Sequence, residues 1–134
     1  MKIGRAGKEP YAVVVTDGKH EVICDSPLER GGKDAGFAPP ELIEVALAAC
    51  INITVRKFAD SRNIKLTDAI VNVTMNKDDP NKVFIKEEVE FVGELTDRER
   101  KTLMQVAKQC TVAKTLAKEF VFDLAETRPE TAKA

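Results

Sequence analysis

The chain of 134 residues is short of side chains that carry chemistry: it has one histidine, one tyrosine, three cysteines and no tryptophan. A lone histidine among scattered cysteines shows no metal-ligand spacing such as Cys-x-x-Cys, so neither a metal nor any other cofactor is expected. Three thiols are too few for a disulfide framework, which takes dense, even-numbered cysteines in a small secreted chain. Neither sign of charge is in excess: 21 Lys and Arg against 22 Asp and Glu leave a formal net charge of -1 and no basic face for nucleic acid or anionic lipid. The N-terminus has no apolar signal-like stretch, and the one long apolar run, roughly Leu42 to Val55, is too short and too rich in alanine to span a bilayer. These absences predict a soluble, cytoplasmic protein that binds neither nucleic acid nor membrane.

What is present fits one domain over residues 1–134, with 43% hydrophobic residues to fill a core. Covalent chemistry is left to the thiols. Cys50 ends the run Pro39-Pro40-Glu41-Leu42-Ile43-Glu44-Val45-Ala46-Leu47-Ala48-Ala49-Cys50, and Cys110 lies in Lys108-Gln109-Cys110-Thr111-Val112. Cys24 falls on a strand and reads as structural. Taken singly, a cysteine among alanines on a buried helix is a small hydrophobe, and a cysteine at a helix end is a filler.

Periodicity and turn signals place these residues. Tyr11–Thr16 and Glu21–Cys24 read as strands joined at Asp17-Gly18, a hairpin signal. Asp25–Pro40, rich in glycine and proline, is a loop long enough to carry function. Pro40 suits the start of a helix, Glu41 suits its dipole, and the helix should run to about Arg62, ending near Asn63. From Leu42 to Val55 its apolar residues fall on every side, the pattern of a helix buried all round, and Ala46, Ala48 and Ala49 leave room for a second helix to approach. So small a domain scarcely surrounds such a helix alone, and a homodimer follows. Ala69–Met75 and Val83–Val92 read as an antiparallel pair around the turn 76–81. Thr96 and Glu99 form a capping box for a second helix ending at about Cys110. Thr111–Lys118 should be a short helix, Phe120–Leu124 a last strand and Arg128–Ala134 a frayed tail. The class is α+β, an antiparallel sheet with a long buried central helix.

Gly31-Gly32-Lys33-Asp34-Ala35-Gly36 followed by Pro40-Glu41-Leu42, a cysteine on an Ala-rich helix, and Cys110-Thr111-Val112 about sixty residues later together resemble the OsmC/Ohr family of osmotically inducible and organic hydroperoxide resistance proteins. The spacing from Glu41 to Cys50 and the residues after Cys110 are most similar to its short OsmC-like branch. The resemblance covers nearly the whole chain and implies an OsmC-like fold in an intertwined dimer. It further implies a thiol peroxidase in which Cys50 attacks the peroxide and Cys110 resolves the resulting sulfenic acid as a disulfide, a dithiol reductant of thioredoxin-like or lipoyl kind then resetting the pair.

Such chemistry requires a lowered thiol pKa, whereas burial alone raises it, so a cation or donor is needed beside Cys50. Relatives supply an arginine from the hairpin turn, paired with a glutamate ten residues before the cysteine. Here the turn reads Asp17-Gly18-Lys19-His20 and Glu41 precedes Cys50 by nine, so Arg30 and Glu41 become the candidates, with Lys19, His20 and Arg56 in reserve. Phe37, Leu42, Ile43 and Leu47 are the expected apolar walls, suited to an organic hydroperoxide. A non-catalytic module that binds a small apolar ligand, or a redox sensor, is the alternative. Gly31-Gly32 is no phosphate cradle, because the Lys-Ser/Thr of a P-loop is missing.

Overall fold

The computed structural model describes residues 1–128; the remainder of the expected C-terminal tail, 129–134, lies outside the described residues. Three β-branched valines favour extended backbone in β2 (Val13–Thr16), which pairs antiparallel with β3 (Glu21–Cys24) across the anticipated turn. Gly18 takes φ 92° there, and the Asp17 carboxylate accepts the N–H groups of Lys19 and His20 at 2.9 and 2.7 Å. On the other edge of β2 lies β1 (Ile3–Ala6), a strand the sequence reading did not foresee. All four of its side chains are exposed, so it leaves no apolar alternation to read.

The loop that follows is fixed by one buried carboxylate. Asp25, 2% exposed, accepts the N–H groups of Ser26, Lys33 and Ala35 at 2.7, 3.1 and 3.1 Å. Those amides, Ala35 first, hold its carboxyl below the usual range. The segment makes a 3₁₀ turn at Leu28–Arg30 and then passes so close to β3 that a Cβ on Gly36 would lie 2.1 Å from the Ile23 carbonyl oxygen.

Helix α1 spans Glu41–Ser61 with Pro40 as N-cap, and Asn63 at φ 55° turns the chain out of it. Its residues at every fourth position, Leu47, Ile51, Val55 and Ala59, are buried. Within one chain this is a stripe and not burial all round: Val45 and Ile53 are 37% and 46% exposed, because no element among the described residues covers that face. The buried stripe meets the inner face of a hairpin of β4 (Leu66–Asn76) and β5 (Phe84–Gly93), paired from Leu66↔Gly93 to Asn76↔Phe84. Helix α2 (Asp97–Ala107) opens on the anticipated capping box: Glu99 N–H donates to Thr96 Oγ1 at 3.1 Å and Thr96 N–H to Glu99 Oε1 at 2.9 Å. Helix α3 (Thr111–Leu116) follows.

The core joins Leu47, Ile51, Val55 and Ala59 to Ala69, Phe91, Leu103, Ala107 and Cys110. No residue of β1, β2 or β3 enters this cluster. The expected strand at Phe120–Leu124 does not form. A strand needs a neighbour for its backbone, this segment has none in the described residues, and Val121, Phe122 and Leu124 are 85% or more exposed.

Candidate active site

Cys50 lies three residues beyond the buried Leu47 on α1, half-buried and packed against the core. The turn between α2 and α3 meets it there. Helix α2 stops at Ala107, earlier than anticipated, and Cys110 takes extended angles (φ -57°, ψ 121°) as N-cap of α3 instead of closing α2. This change of direction turns the Cys110 side chain into the core, where it is 2% exposed, and sets the start of α3 over Cys50. Thr111 Oγ1 lies 3.6 Å from the Cys50 sulfur and Thr54 Oγ1 3.9 Å. Both cysteines are free thiols, Cys50 packed against the cluster that holds Cys110 and each shifting the proton affinity of the other.

The surroundings drive the two thiols in opposite directions. The backbone N–H of Val112 is the largest influence on Cys50; burial works against it, and the Thr111 hydroxyl, the Cys110 thiol and the Thr111 N–H add to it. Together they lower the Cys50 thiol to about 6. Cys110 is raised, first by burial and then by the Cys50 thiol beside it. The more accessible sulfur is thus a thiolate at neutral pH and its neighbour a protonated thiol, which pairs a nucleophile with a proton-bearing partner.

The groups that acidify Cys50 are amides, a hydroxyl and the second thiol, with no cation among them. Arg30, exposed on the 3₁₀ turn, faces a cleft of about 360 Å³ with Glu41, Glu44 and Lys77. Glu41 accepts the Ala38 N–H at 3.3 Å, and no ion pair joins it to Arg30 among the described residues. Nine residues along α1 carry Glu41 about 14 Å from Cys50 and roughly half a turn around the axis. His20 lies 3.4 Å from Asp17 at the hairpin turn that also carries Lys19, and Arg56 donates to Asn52 Oδ1 at 2.7 Å. The structure therefore brings together Cys50 with Cys110, and Arg30 with Glu41, as two separate groups.

The anticipated walls are also divided. Leu47 is core, Phe37 and Leu42 line different clefts, and Ile43 lines an apolar cleft of about 600 Å³ with Val83, Ile85, Leu116 and Phe120. Ile43 is two helical turns from Cys50 on the same face of α1. The sequence reading opens a short helix at Thr111, as observed, but names only cations beside Cys50 and so misses Thr111 and Val112. The signal was the hydroxyl of Thr111 itself, a neutral donor next to the second cysteine.

The family model described as OsmC-like protein matches residues 31–125. No curated protein matches the chain in sequence. Among solved structures, an osmotic stress induced and detoxification response protein from Psychrobacter arcticus 273-4 is similar at 24% identity, with 85% of each chain covered and a TM-score of 0.72. An OsmC-like protein from Mycoplasma pneumoniae is 20% identical over 87% of this chain and 85% of its own, with a TM-score of 0.70. The organic hydroperoxide resistance protein OhrB of Bacillus subtilis is 20% identical over 87% and 89%, with a TM-score of 0.61. The two cysteines lie within the matched segment together with both helices that present them, and the chain belongs to the family of OsmC-like proteins.

Proposed function

We propose that the protein is a cysteine-based thiol peroxidase that reduces organic hydroperoxides. The observation that carries this reading is the pairing of an acidified, half-buried Cys50 with a buried Cys110, raised in its proton affinity, in the core cluster against which Cys50 packs. The Cys50 thiolate attacks the terminal peroxide oxygen and the O–O bond breaks. Oxygen is transferred to sulfur as a sulfenic acid, and the alkoxide leaves as the alcohol after taking a proton. The Cys110 sulfur then displaces the sulfenic oxygen, which departs as water with the Cys110 proton, and a disulfide joins the pair. A thioredoxin-like or lipoyl dithiol restores both thiols by exchange and is itself oxidised to a disulfide.

The name of the Bacillus subtilis relative supports an organic peroxide as substrate. So does the apolar cleft along the Cys50 face of α1, which fits an alkyl tail, with Arg30 and Glu41 at the adjoining charged cleft that shares Pro40, Met75 and Lys77 with it. In this reading the protein works in the cytoplasm as a homodimer; among the described residues no helix is long and apolar enough to cross a membrane.

The test is peroxide consumption with excess dithiol, followed by mass spectrometry. The parent should turn over many equivalents of cumene hydroperoxide, and Cys50→Ser should consume none. Cys110→Ser should undergo one oxidation and then drift to sulfinate. One equivalent consumed per parent chain, however much reductant is supplied, would mark a redox sensor, and equal residual turnover in Cys50→Ser would remove the mechanism.

A further inference from the structure

We propose that the Thr111 hydroxyl is a catalytic group of this site, donating its proton to the Cys50 thiolate and so supplying without charge what a neighbouring cation would supply. The inference rests on Cys50 being the reacting thiol. Its basis is a contact between residues 61 positions apart, Thr111 Oγ1 and Cys50 Sγ, at 3.6 Å.

Threonine hydroxyls on a helix ordinarily spend their proton on the carbonyl one turn back. Two others here do so: Thr102 donates to the Arg98 carbonyl and Thr115 to the Thr111 carbonyl, each at 3.0 Å. Thr111 cannot. It is the first residue of α3, preceded by the extended Cys110, so no helical turn lies behind it to offer an acceptor. The hydrogen-bonding partner the structure gives this hydroxyl is the Cys50 sulfur. A thiolate accepts only, so the proton on that contact must come from Thr111 when Cys50 is ionised. A hydrogen bond to an ion in a half-buried site is about twice as strong as one between neutral groups, and it stabilises the thiolate over the thiol.

The placement also links activation to resolution. Thr111 is the covalent neighbour of Cys110, so one turn of chain delivers both the donor that ionises Cys50 and the thiol that later condenses with it. Thr54, one helical turn beyond Cys50, lies at 3.9 Å and is the weaker donor. The other side chains proposed from sequence to activate the thiol have partners or positions elsewhere: Arg56 on Asn52, His20 against Asp17, Arg30 in the separate cleft.

The test is the pH profile of iodoacetamide alkylation at Cys50 in the reduced, full-length chain, read on the peptide that carries Cys50. No peroxide is present, so the outcome is independent of whether the protein turns peroxide over. Thr111→Val, which keeps the shape and removes the hydroxyl, should raise the midpoint by about one pH unit and slow alkylation below pH 6 about tenfold. Thr111→Ser should return the profile to that of the parent. Melting temperatures of both variants within a few degrees of the parent would show that the shift belongs to the thiol and not to a loosened turn. Superimposable profiles for Thr111→Val and parent would overturn the proposal, as would a Thr111→Ser profile that follows Thr111→Val. Should the thiol shift as stated while no variant or parent consumes peroxide, the peroxidase reading fails and the role of Thr111 in setting the acidity of Cys50 stands.

Discussion

Cys50 makes the stability of the fold depend on pH in a direction that can be stated. Its thiol is lowered to about 6 in the folded chain, whereas an unfolded cysteine keeps an ordinary value near 8.5. Between those values the unfolded chain binds more protons than the folded one, so stability rises with pH. The thiolate's contribution is complete above the ordinary thiol value and is lost as pH falls through about 6. The melting temperature of the parent should therefore gain on that of Cys50→Ser as pH is raised from 6 to 9, a difference that scanning calorimetry of the two reads directly. Asp25 has the same sign at lower pH: its lowered carboxyl supports the loop at neutrality and stops doing so as pH falls through the carboxylate range. Backbone proximity gives a second prediction. A Cβ on Gly36 would meet the Ile23 carbonyl oxygen at 2.1 Å, whereas one on Gly18 would meet nothing and would suffer only from φ 92°. Gly36→Ala should cost about 1–3 kcal/mol or more through backbone displacement, and Gly18→Ala about 1 kcal/mol. Urea unfolding of the two variants compares them, and equal losses would count against the close approach of loop and β3.

Helix α2 is held at one end by its cap and along its length by Leu103, which is fully buried. Thr96→Ala should cost about 1 kcal/mol by leaving the Glu99 N–H without its acceptor, and Leu103→Ala about 2–5 kcal/mol through the cavity it leaves against α1. Denaturant midpoints at constant m-value check both. The capping box, the Asp17-Gly18 turn and the limits of α1 were legible in the sequence because each is decided by residues within one or two turns of chain. What the sequence did not disclose was decided across the fold. Strand β1 has four exposed residues and owes its existence to pairing with β2, and Phe120–Leu124 has the composition of a strand but no neighbour among the described residues. The pairing of Cys50 with Cys110 followed from a resemblance, and their contact depends on how the turn at Lys108–Cys110 reverses the chain. For the same reason no signal near Cys50 in the sequence points to Thr111 and Val112, whose donors reach its sulfur only through the packing of α3 against α1.

The whole chain leaves apolar surface that water does not tolerate in quantity. On α1, Val45, Ala49 and Ile53 form an exposed stripe at every fourth position, beside the stripe that fills the core. The sheet of β1, β2 and β3 adds no residue to that core although Ile3, Val22 and Ile23 are 36–48% exposed, and the segment from Phe120 to Leu124 lies open. Exposed apolar area spread over a helix, a sheet and an extended segment marks an interface, and a second copy of the chain presents complementary pieces of each kind: helix face for helix face, and strand-forming segments for open sheet edges. The protein should therefore be an obligate homodimer with the α1 stripes packed inside. Ala49 separates this from the alternative, because it is exposed in the single chain and would accept a charge there at little cost. In the dimer, Ala49→Glu would place an unpaired carboxylate between helices and destabilise folding together with association. Sedimentation at micromolar concentration should give a dimer for the parent, whose melting temperature rises with concentration, and a much less stable species for Ala49→Glu. A parent that sediments as a folded monomer with full helicity, and an Ala49→Glu variant that melts with it, would refute the dimer.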